Sequence, residues 1–416
     1  MNILIKSCTI VDPSSDHNGK VADVLIENGE IVKIGSSLKF EGENIDGKGK
    51  YLAPGFFDLH ANLGELGVET KEDFITGNVA AAAGGFTGVG MMPNTKPAVD
   101  SKSQVEYLKN RAKNLLVDIY PYGTLSQKRE GKDLAELFDM TNSGAVAFSD
   151  GNEPVQDAGL MERALLYAKG FDALVISYPE ERSIAGGAKM NEGKMSTYLG
   201  MKGIPNIAEE LMIVRDLYLA EYTDAKIHFT TISTAHAVEL IKQAKKKGIN
   251  VTCDVAAHHL VLTEEALHDF DSNYKVKPPL RTKTDVKALL KGVQDGTIDT
   301  IVSQHTPQEI EFKAVEFEIA AYGIIALQTV LPLLVQAGLK PEQIVEKLSV
   351  KSRQILNLPV PSVTVGQQAN LVLFDESEWE YTEKVNYSKS KNSPYIGQQL
   401  KGKVWATINN AQVMQF

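Results

Sequence analysis

The sequence predicts an α/β fold, a TIM-type (β/α)8 barrel with a small β-sandwich built from both chain ends. Three observations carry this. Residues 1–52 hold only short β patterns. From Ala53, short apolar runs alternate with longer amphipathic segments over about 300 residues, and β patterns return from Gln368. Such alternation implies parallel strands joined by crossover helices, and roughly eight units of it suit a closed barrel. A doubly wound sheet is the alternative. The expected division is a composite β-sandwich domain from 1–52 and 356–416, with the barrel at 53–355.

The first strands are read from ILIKSCTIVD (3–12) and ADVLIENGEIVKIG (22–35), with an Asn28-Gly29 hairpin turn. Strand and helix then follow in pairs: GFTGVGMM with SQVEYLKNRAKNLL, VDIYPYG with KDLAELFDM, and GAVAFSD with GLMERALLYAKG. ALVISY, IHFTTIS with AHAVELIKQAKKKG, NVTCDV and DTIVSQ continue the pattern. The basic run at 242–248 ends an apolar-periodic stretch and reads as a solvated helix C-terminus, where cations complement the dipole. Helical stretches at 323–338 and 341–348 precede the closing strands ANLVLFD and GKVWATINNAQVM.

The chain has 416 residues, 43% hydrophobic and 23% charged, the make-up of a soluble globular protein. Its formal net charge of -10 argues against broad affinity for nucleic acid or anionic membrane, which attract basic surfaces. No apolar stretch approaches the roughly 20 residues that span a bilayer, and the N-terminus reads as a strand rather than a signal peptide. Cys8 and Cys253 stand alone, outside any metal or disulfide pattern, which suits a reducing cytoplasm.

Eight segments together resemble the class I dihydroorotases: PGFFDLHANLGELG (54–67), GNVAAAAGGFTGVGMMPNTKPAVD (77–100), AFSDGNEPV (147–155), IHFTTISTAHAVELI (227–241), AAHHLVLTEE (256–265), KVKPPLRTKTD (275–285), GTIDTIVSQHTPQ (296–308) and KSKNSPYIGQQLKGKV (389–404). They lie in the family's order over nearly the whole chain. The resemblance implies a metal-bearing barrel that interconverts N-carbamoyl-aspartate and dihydroorotate, with the chemistry at the C-terminal ends of the strands. In that chemistry a metal makes a strong nucleophile by lowering the pKa of bound water to about 7.

The same resemblance implies that the site is dismantled. The family's H-x-H-x-R pattern, two metal ligands and a substrate-binding arginine, reads His60, Asn62, Gly64 here. The F-[ST]-D-D-G run is Phe148-Ser149-Asp150-Gly151, leaving one acid whose role stays open. The histidine of H-C-E-D is Ser177 and that of H-V-S-T is Thr231. The aspartate of D-H-A-P-H, ligand and proton shuttle, is Gln304, and an amide cannot serve as a carboxylate base. Substrate contacts also change, with Lys277 for the asparagine of N-P-P-L-R and Gln308 for the last histidine. Asn94 is the clearest vestigial substrate-binding group, and His60 and Asp150 are the surviving candidate ligands. Two ligands fall short of the three or four that hold zinc, so no catalytic residue and no metal are expected.

Other side chains invite chemistry but have plainer readings. His258-His259 would face opposite sides of a strand, and a rebuilt metal site from His60, His228 and His305 lacks recognisable supporting carboxylates. Lys277 is read as weakly favouring an anion. GGFTGVG lacks nucleotide-loop spacing, and neither Ser303 near His305 nor Ser149 near Asp150 resembles a nucleophile elbow. The leading expectation is therefore a non-catalytic dihydroorotase homologue of pyrimidine biosynthesis, homo-oligomeric, and a structural or regulatory partner of aspartate transcarbamoylase. The alternatives are an active dihydroorotase or related cyclic-amide hydrolase with an altered site, and a small-molecule sensor in the old pocket.

Overall fold

A computed structural model describes all residues from Met1 to Phe416. β1 (Ile3–Ile10), β2 (Val21–Glu27), β3 (Glu30–Gly35), β4 (Glu43–Asp46) and β5 (Tyr51–Pro54) open the chain. The β2–β3 connection is the expected two-residue turn, with Asn28 and Gly29 both at positive φ. The last strands, β15 (Leu371–Tyr381), β16 (Gln398–Asn409) and β17 (Gln412–Gln415), join them in one eight-stranded sheet. The junction is the antiparallel pair β5–β15, in which Leu52 faces Leu373. Alternate residues of both ends, among them Ile3, Ile5, Ile26, Leu371 and Ile408, bury into a core separate from the barrel's.

Barrel strands follow in chain order: β6 (Phe56–Ala61), β7 (Phe86–Met91), β8 (Asp118–Pro121) and β9 (Val175–Ser177). A two-stranded parallel ribbon, β10 (Met190–Asn191) with β11 (Gly203–Ile204), lies outside the barrel ring. β12 (Ile227–Phe229), β13 (Val251–Ala256) and β14 (Thr300–Val302) complete it. All barrel pairings are parallel. Between β8 and β9 the expected strand GAVAFSD is reduced to Phe148, which bridges Gly123 on one side and Val175 on the other. The chain leaves strand geometry there because Ser149 accepts the Gly151 amide and Asp150 turns toward residues 125 and 126. Ala61 pairs with His305, so the ring closes. The structure is thus the α/β barrel with a β-rich terminal unit.

Crossover helices start where capping side chains satisfy free amides: Asp73 before Phe74–Ala83, Asp157 before Ala158–Lys169, Thr234 before Ala235–Lys246 and Thr282 before Lys283–Asp295. The basic run ends helix Ala235–Lys246 as expected. The glycines at 84–90 serve packing, since a Cβ on Gly88 would lie 2.6 Å from the Phe57 ring. No helix is long and apolar enough to cross a membrane.

Candidate functional site

β6 carries Asp58 and His60, and Asn62 follows directly after its end. Asp58 lies deepest, accepting the Ser303 amide at 2.9 Å and the Ser303 hydroxyl. Burial pushes its carboxyl up to about 7. The His60 Nδ1 shares a 2.8 Å hydrogen bond with the Thr230 hydroxyl, and burial pushes this imidazole down to about 4, so it is neutral. Asn62 donates to the His305 carbonyl at 3.0 Å and the Thr306 hydroxyl at 3.1 Å, and accepts from Asn94 at 2.9 Å. Asn94 is therefore turned onto Asn62. Its own carbonyl oxygen is buried without a partner.

Asp150 faces away from this cluster. It accepts the amides of Leu125 and Ser126, each at 2.9 Å, and the Ser126 hydroxyl. Burial raises its carboxyl pKa against those bonds. Asp150 thus ties down the 125–126 loop. The neighbouring position is Gly151, at φ +62°, where a Cβ would come within 1.7 Å of the Asn94 carbonyl oxygen. Asn94 occupies the room a side chain at 151 would need.

The remaining positions are bound into the frame as well. Ser177 donates to Asp216 at 2.7 Å, and the Thr231 amide donates to Asp254 at 2.6 Å. The Gln304 amide donates to the Lys277 carbonyl at 2.9 Å. At Gly64 a Cβ would lie 1.8 Å from the Glu72 carbonyl oxygen, so this backbone has no place for the arginine of the family pattern.

The other histidines have separate duties. The Ala326 amide donates to His305 Nδ1 at 3.0 Å, so Nε2 carries the proton and donates to Glu72 at 3.3 Å. Glu72 also accepts from Thr76, Ser388 and the Lys389 amide. Burial opposes its charge, yet the bonds from His305, Ser388 and Thr76 outweigh that and hold its pKa below the ordinary value. His228 sits between the Thr252 hydroxyl (2.8 Å) and Asp254 (2.9 Å). His258 and His259 lie on a short helical turn after β13 rather than on a strand, so opposite-face geometry is not what separates them. Their rings pack 4.6 Å apart, and His259 meets the Pro278 carbonyl at 3.1 Å. Burial pushes His259 down to about 4. Neither Ser303 nor Ser149 is hydrogen-bonded to an imidazole.

Two connected hollows open at the C-terminal end of the strands. The inner, of about 310 Å³, is walled by His60, Asn62, Asn94, Tyr178, Lys277 and Gln304, with residues 321–323 over it. No carboxylate lines it. The outer, of about 420 Å³, brings Lys71, Lys96 and Arg129 together with Glu153 and Glu309. Lys277 is not free for an anion, because its ammonium lies 2.7 Å from the buried Glu180 carboxylate. Gln308 is held between Lys71 and the Tyr322 carbonyl.

A zinc site needs three or four nitrogen, oxygen or sulfur ligands about 2.0–2.3 Å from the ion. Nowhere do three His, Cys, Asp or Glu side chains converge in that way. His60 faces Thr230 while Asp150 faces Ser126, so the two candidate ligands serve different partners. The donor set does not fit the ion that the resemblance implies. What the inner hollow offers is hydrogen bonding by amides, hydroxyls and one neutral imidazole, beside the Lys277 ammonium paired with Glu180.

Several structural ionisable groups escaped sequence reasoning. Arg281, within the resembling Pro-Pro-Leu-Arg run, is buried and donates to Ser233, Asn191 and the Ile204 carbonyl, with Glu209 3.7 Å away. Glu72 carries no motif that would have marked it, and Glu180 ends the Ser177–Glu180 run matched to H-C-E-D without having been singled out.

A dihydro-orotase-like family model matches residues 49–237, and an amidohydrolase family model matches 181–414. The chain is 43% identical to a dihydroorotase of Acetivibrio thermocellus over 99% of this chain and 98% of that one. It is also 43% identical to a dihydroorotase of Trichlorobacter lovleyi, over 100% and 99%. Among solved structures, an L-hydantoinase (dihydropyrimidinase) from Arthrobacter aurescens superposes with a TM-score of 0.87 at 24% identity, covering 100% of this chain and 96% of that one, which speaks to the fold. Resembling named dihydroorotases along its entire length, the chain belongs to the dihydroorotase family of the amidohydrolases.

Proposed function

We propose that this chain is a non-catalytic dihydroorotase homologue of pyrimidine biosynthesis that acts as a structural or regulatory partner of aspartate transcarbamoylase. One observation carries the first half: the inner hollow has no carboxylate on its wall, and its only imidazole is neutral and bonded to Thr230. Opening a cyclic amide requires an activated water and a group to move its proton, and amide side chains do neither. The second half rests on an intact frame around an unreactive centre, since a retained fold without chemistry still offers surface.

The test has two arms. Purified chain is assayed for dihydroorotate turnover with and without added zinc, and mixed with the transcarbamoylase of its own organism for co-migration on a sizing column. The expectation is no chelator-sensitive turnover and a stable complex. Turnover abolished by chelation and restored by zinc overturns the non-catalytic reading, and independent migration overturns the partnership.

A further inference from the structure

With a formal net charge of -10 the chain repels anions on the whole, so a hollow where positive charge gathers stands against the field around it. The outer hollow is such a place. Its wall holds three cations, Lys71, Lys96 and Arg129, and two carboxylates, Glu153 and Glu309. Glu153 is paired with Arg182, which lies off the wall. None of the three cations forms an ion pair with a protein carboxylate within 4.0 Å. They therefore face Glu309 alone, and the wall keeps a surplus of two positive charges. The half-buried Lys71 ammonium meets the neutral Gln308 side chain at 2.7 Å. Burial lowers its pKa, Glu309 offsets part of that, and Lys96 pushes it down again, so like charges converge here. Lys96 is fixed beside the Lys71 loop by its backbone: its amide donates to the Leu66 carbonyl at 2.9 Å, and a Cβ on Gly67 would lie 1.8 Å from its carbonyl oxygen. Lys128 and Arg129 both stand in left-handed backbone, at φ 52° and 60°, which L-residues rarely adopt and which gathers at binding sites. Arg129 donates from Nε to the Asp150 carbonyl at 2.9 Å and from Nη2 to Asn152 at 2.6 Å, leaving Nη1 without a protein acceptor.

We propose that the outer hollow binds a small phosphorylated metabolite, its phosphate group held by Lys71, Lys96 and Arg129. A phosphate monoester carries about -1.5 to -2 charges at neutral pH, which matches the surplus on the wall. A guanidinium fork beside two ammonium point charges suits its several acceptor oxygens better than the two of a carboxylate. Leu63, Val68, Met92 and Phe312 give the same hollow an apolar wall for the organic body of the ligand. Its volume of about 420 Å³ lies in the range of small-molecule sites. None of the three cations stands at a position that the family resemblance assigns to metal or substrate. The assigned positions on this wall, Gly64, Asn94 and Gln308, are uncharged. The site thus goes beyond the proposed function, and it needs no reaction at the barrel centre.

The full chain is titrated by calorimetry with glycerol 3-phosphate, inorganic phosphate and succinate at one ionic strength, alongside Lys96→Gln, Arg129→Gln and Lys247→Gln. Lys247 is exposed just past helix Ala235–Lys246 and is not on the wall of the hollow. The expected result is a single saturable site for glycerol 3-phosphate, tighter than for inorganic phosphate, which lacks an organic body. Lys96→Gln and Arg129→Gln should each raise its dissociation constant roughly 10-fold or more, the loss of one charge-assisted bond, while Lys247→Gln leaves it unchanged. Lys96 is exposed and its side chain holds no other group, so that variant keeps the fold. Arg129→Gln also gives up the bonds to Asp150 and Asn152, so its melting temperature is compared with that of the parent, and Lys71→Gln replaces it if the fold suffers. Absence of saturable phosphate binding at millimolar concentration overturns the proposal, as does binding equally strong in the hollow variants and the parent. Succinate bound more tightly than either phosphate overturns the assignment to a phosphorylated ligand. These outcomes are read from binding alone, so they stand apart from the turnover and co-migration that test the proposed function.

Discussion

Replacing Gly151 by alanine probes whether the position beside Asp150 has room for a side chain. Two separable penalties are expected. The left-handed backbone at φ +62° adds about 1 kcal/mol for an L-residue. The new Cβ, 1.7 Å from the Asn94 carbonyl oxygen, forces Asn94 to move in a packed region, at about 1–3 kcal/mol. Gly151→Ala should therefore destabilise the chain by about 2–4 kcal/mol. In an Asn94→Ala background the overlap is gone and only about 1 kcal/mol of backbone strain should remain. Equilibrium urea unfolding of the four proteins, followed by fluorescence and circular dichroism together, yields the coupling between the two positions. Equal losses in both backgrounds, or no loss in either, would refute the reasoning that Asn94 fills the space a side chain at 151 would need.

Other perturbations read the buried charges. Asp58 has its pKa raised from 3.8 to about 7, so between those values the folded chain holds a proton that the unfolded chain releases, and this group's stabilisation falls as pH rises. Asp58→Asn should remove that decline, of which about 3 kcal/mol falls between pH 5 and 7, visible when urea midpoints of the two proteins are compared from pH 5 to 8. His60, lowered from 6.5 to about 4, acts in the opposite sense: stability rises with pH through that window, and the effect cancels in the comparison because both proteins retain it. Arg281→Met strands the buried Glu209 and should cost about 3–5 kcal/mol, with part recovered in an Arg281→Met, Glu209→Gln double variant; equal losses in both would argue against the pair. His305→Ala removes a partner from both Glu72 and the Ala326 amide, and a loss of about 3 kcal/mol by thermal unfolding is expected, whereas no loss would contradict the assigned bonds.

The fold was legible because its signals are local. Alternation in ILIKSCTIVD and the Asn28-Gly29 turn act over a few residues, as do the capping side chains Asp73, Asp157 and Thr282. The strand read at GAVAFSD failed to extend because a tertiary demand, tying Asp150 to the 125–126 loop, overrode its β pattern. At the site, the resemblance marked Asn62, Ser177, Thr231 and Gln304 as positions that differ from the family's pattern. What the remaining groups bind was hidden, because those partners come from distant parts of the chain. Lys277 looked like an anion-binding group until Glu180 came into contact with it, and His305 looked like a spare ligand until Glu72 and the Ala326 amide took both ring nitrogens.

The substitutions at the barrel mouth bear on stability as well as on chemistry. A metal centre gathers carboxylates and imidazoles that repel or desolvate one another without the ion, so its binding energy becomes part of the folding energy. In this chain those positions carry amides and hydroxyls that bond to each other and to the backbone: Asn62 to Asn94 and Thr306, Ser177 to Asp216, Gln304 to the Lys277 carbonyl. The acids and imidazoles that persist nearby are paired internally, Asp58 with Ser303, His228 with Asp254 and His305 with Glu72. On the proposed non-catalytic reading, this network folds without an ion. Chelation should therefore leave the melting temperature unchanged, and excess zinc should not raise it, because a ligand stabilises only by binding the folded state more tightly than the unfolded one. A melting temperature that falls on treatment with a chelator and recovers with zinc would mean that donors on other side chains or the backbone rebuild a site, and the closed network described here would not be what holds the mouth together.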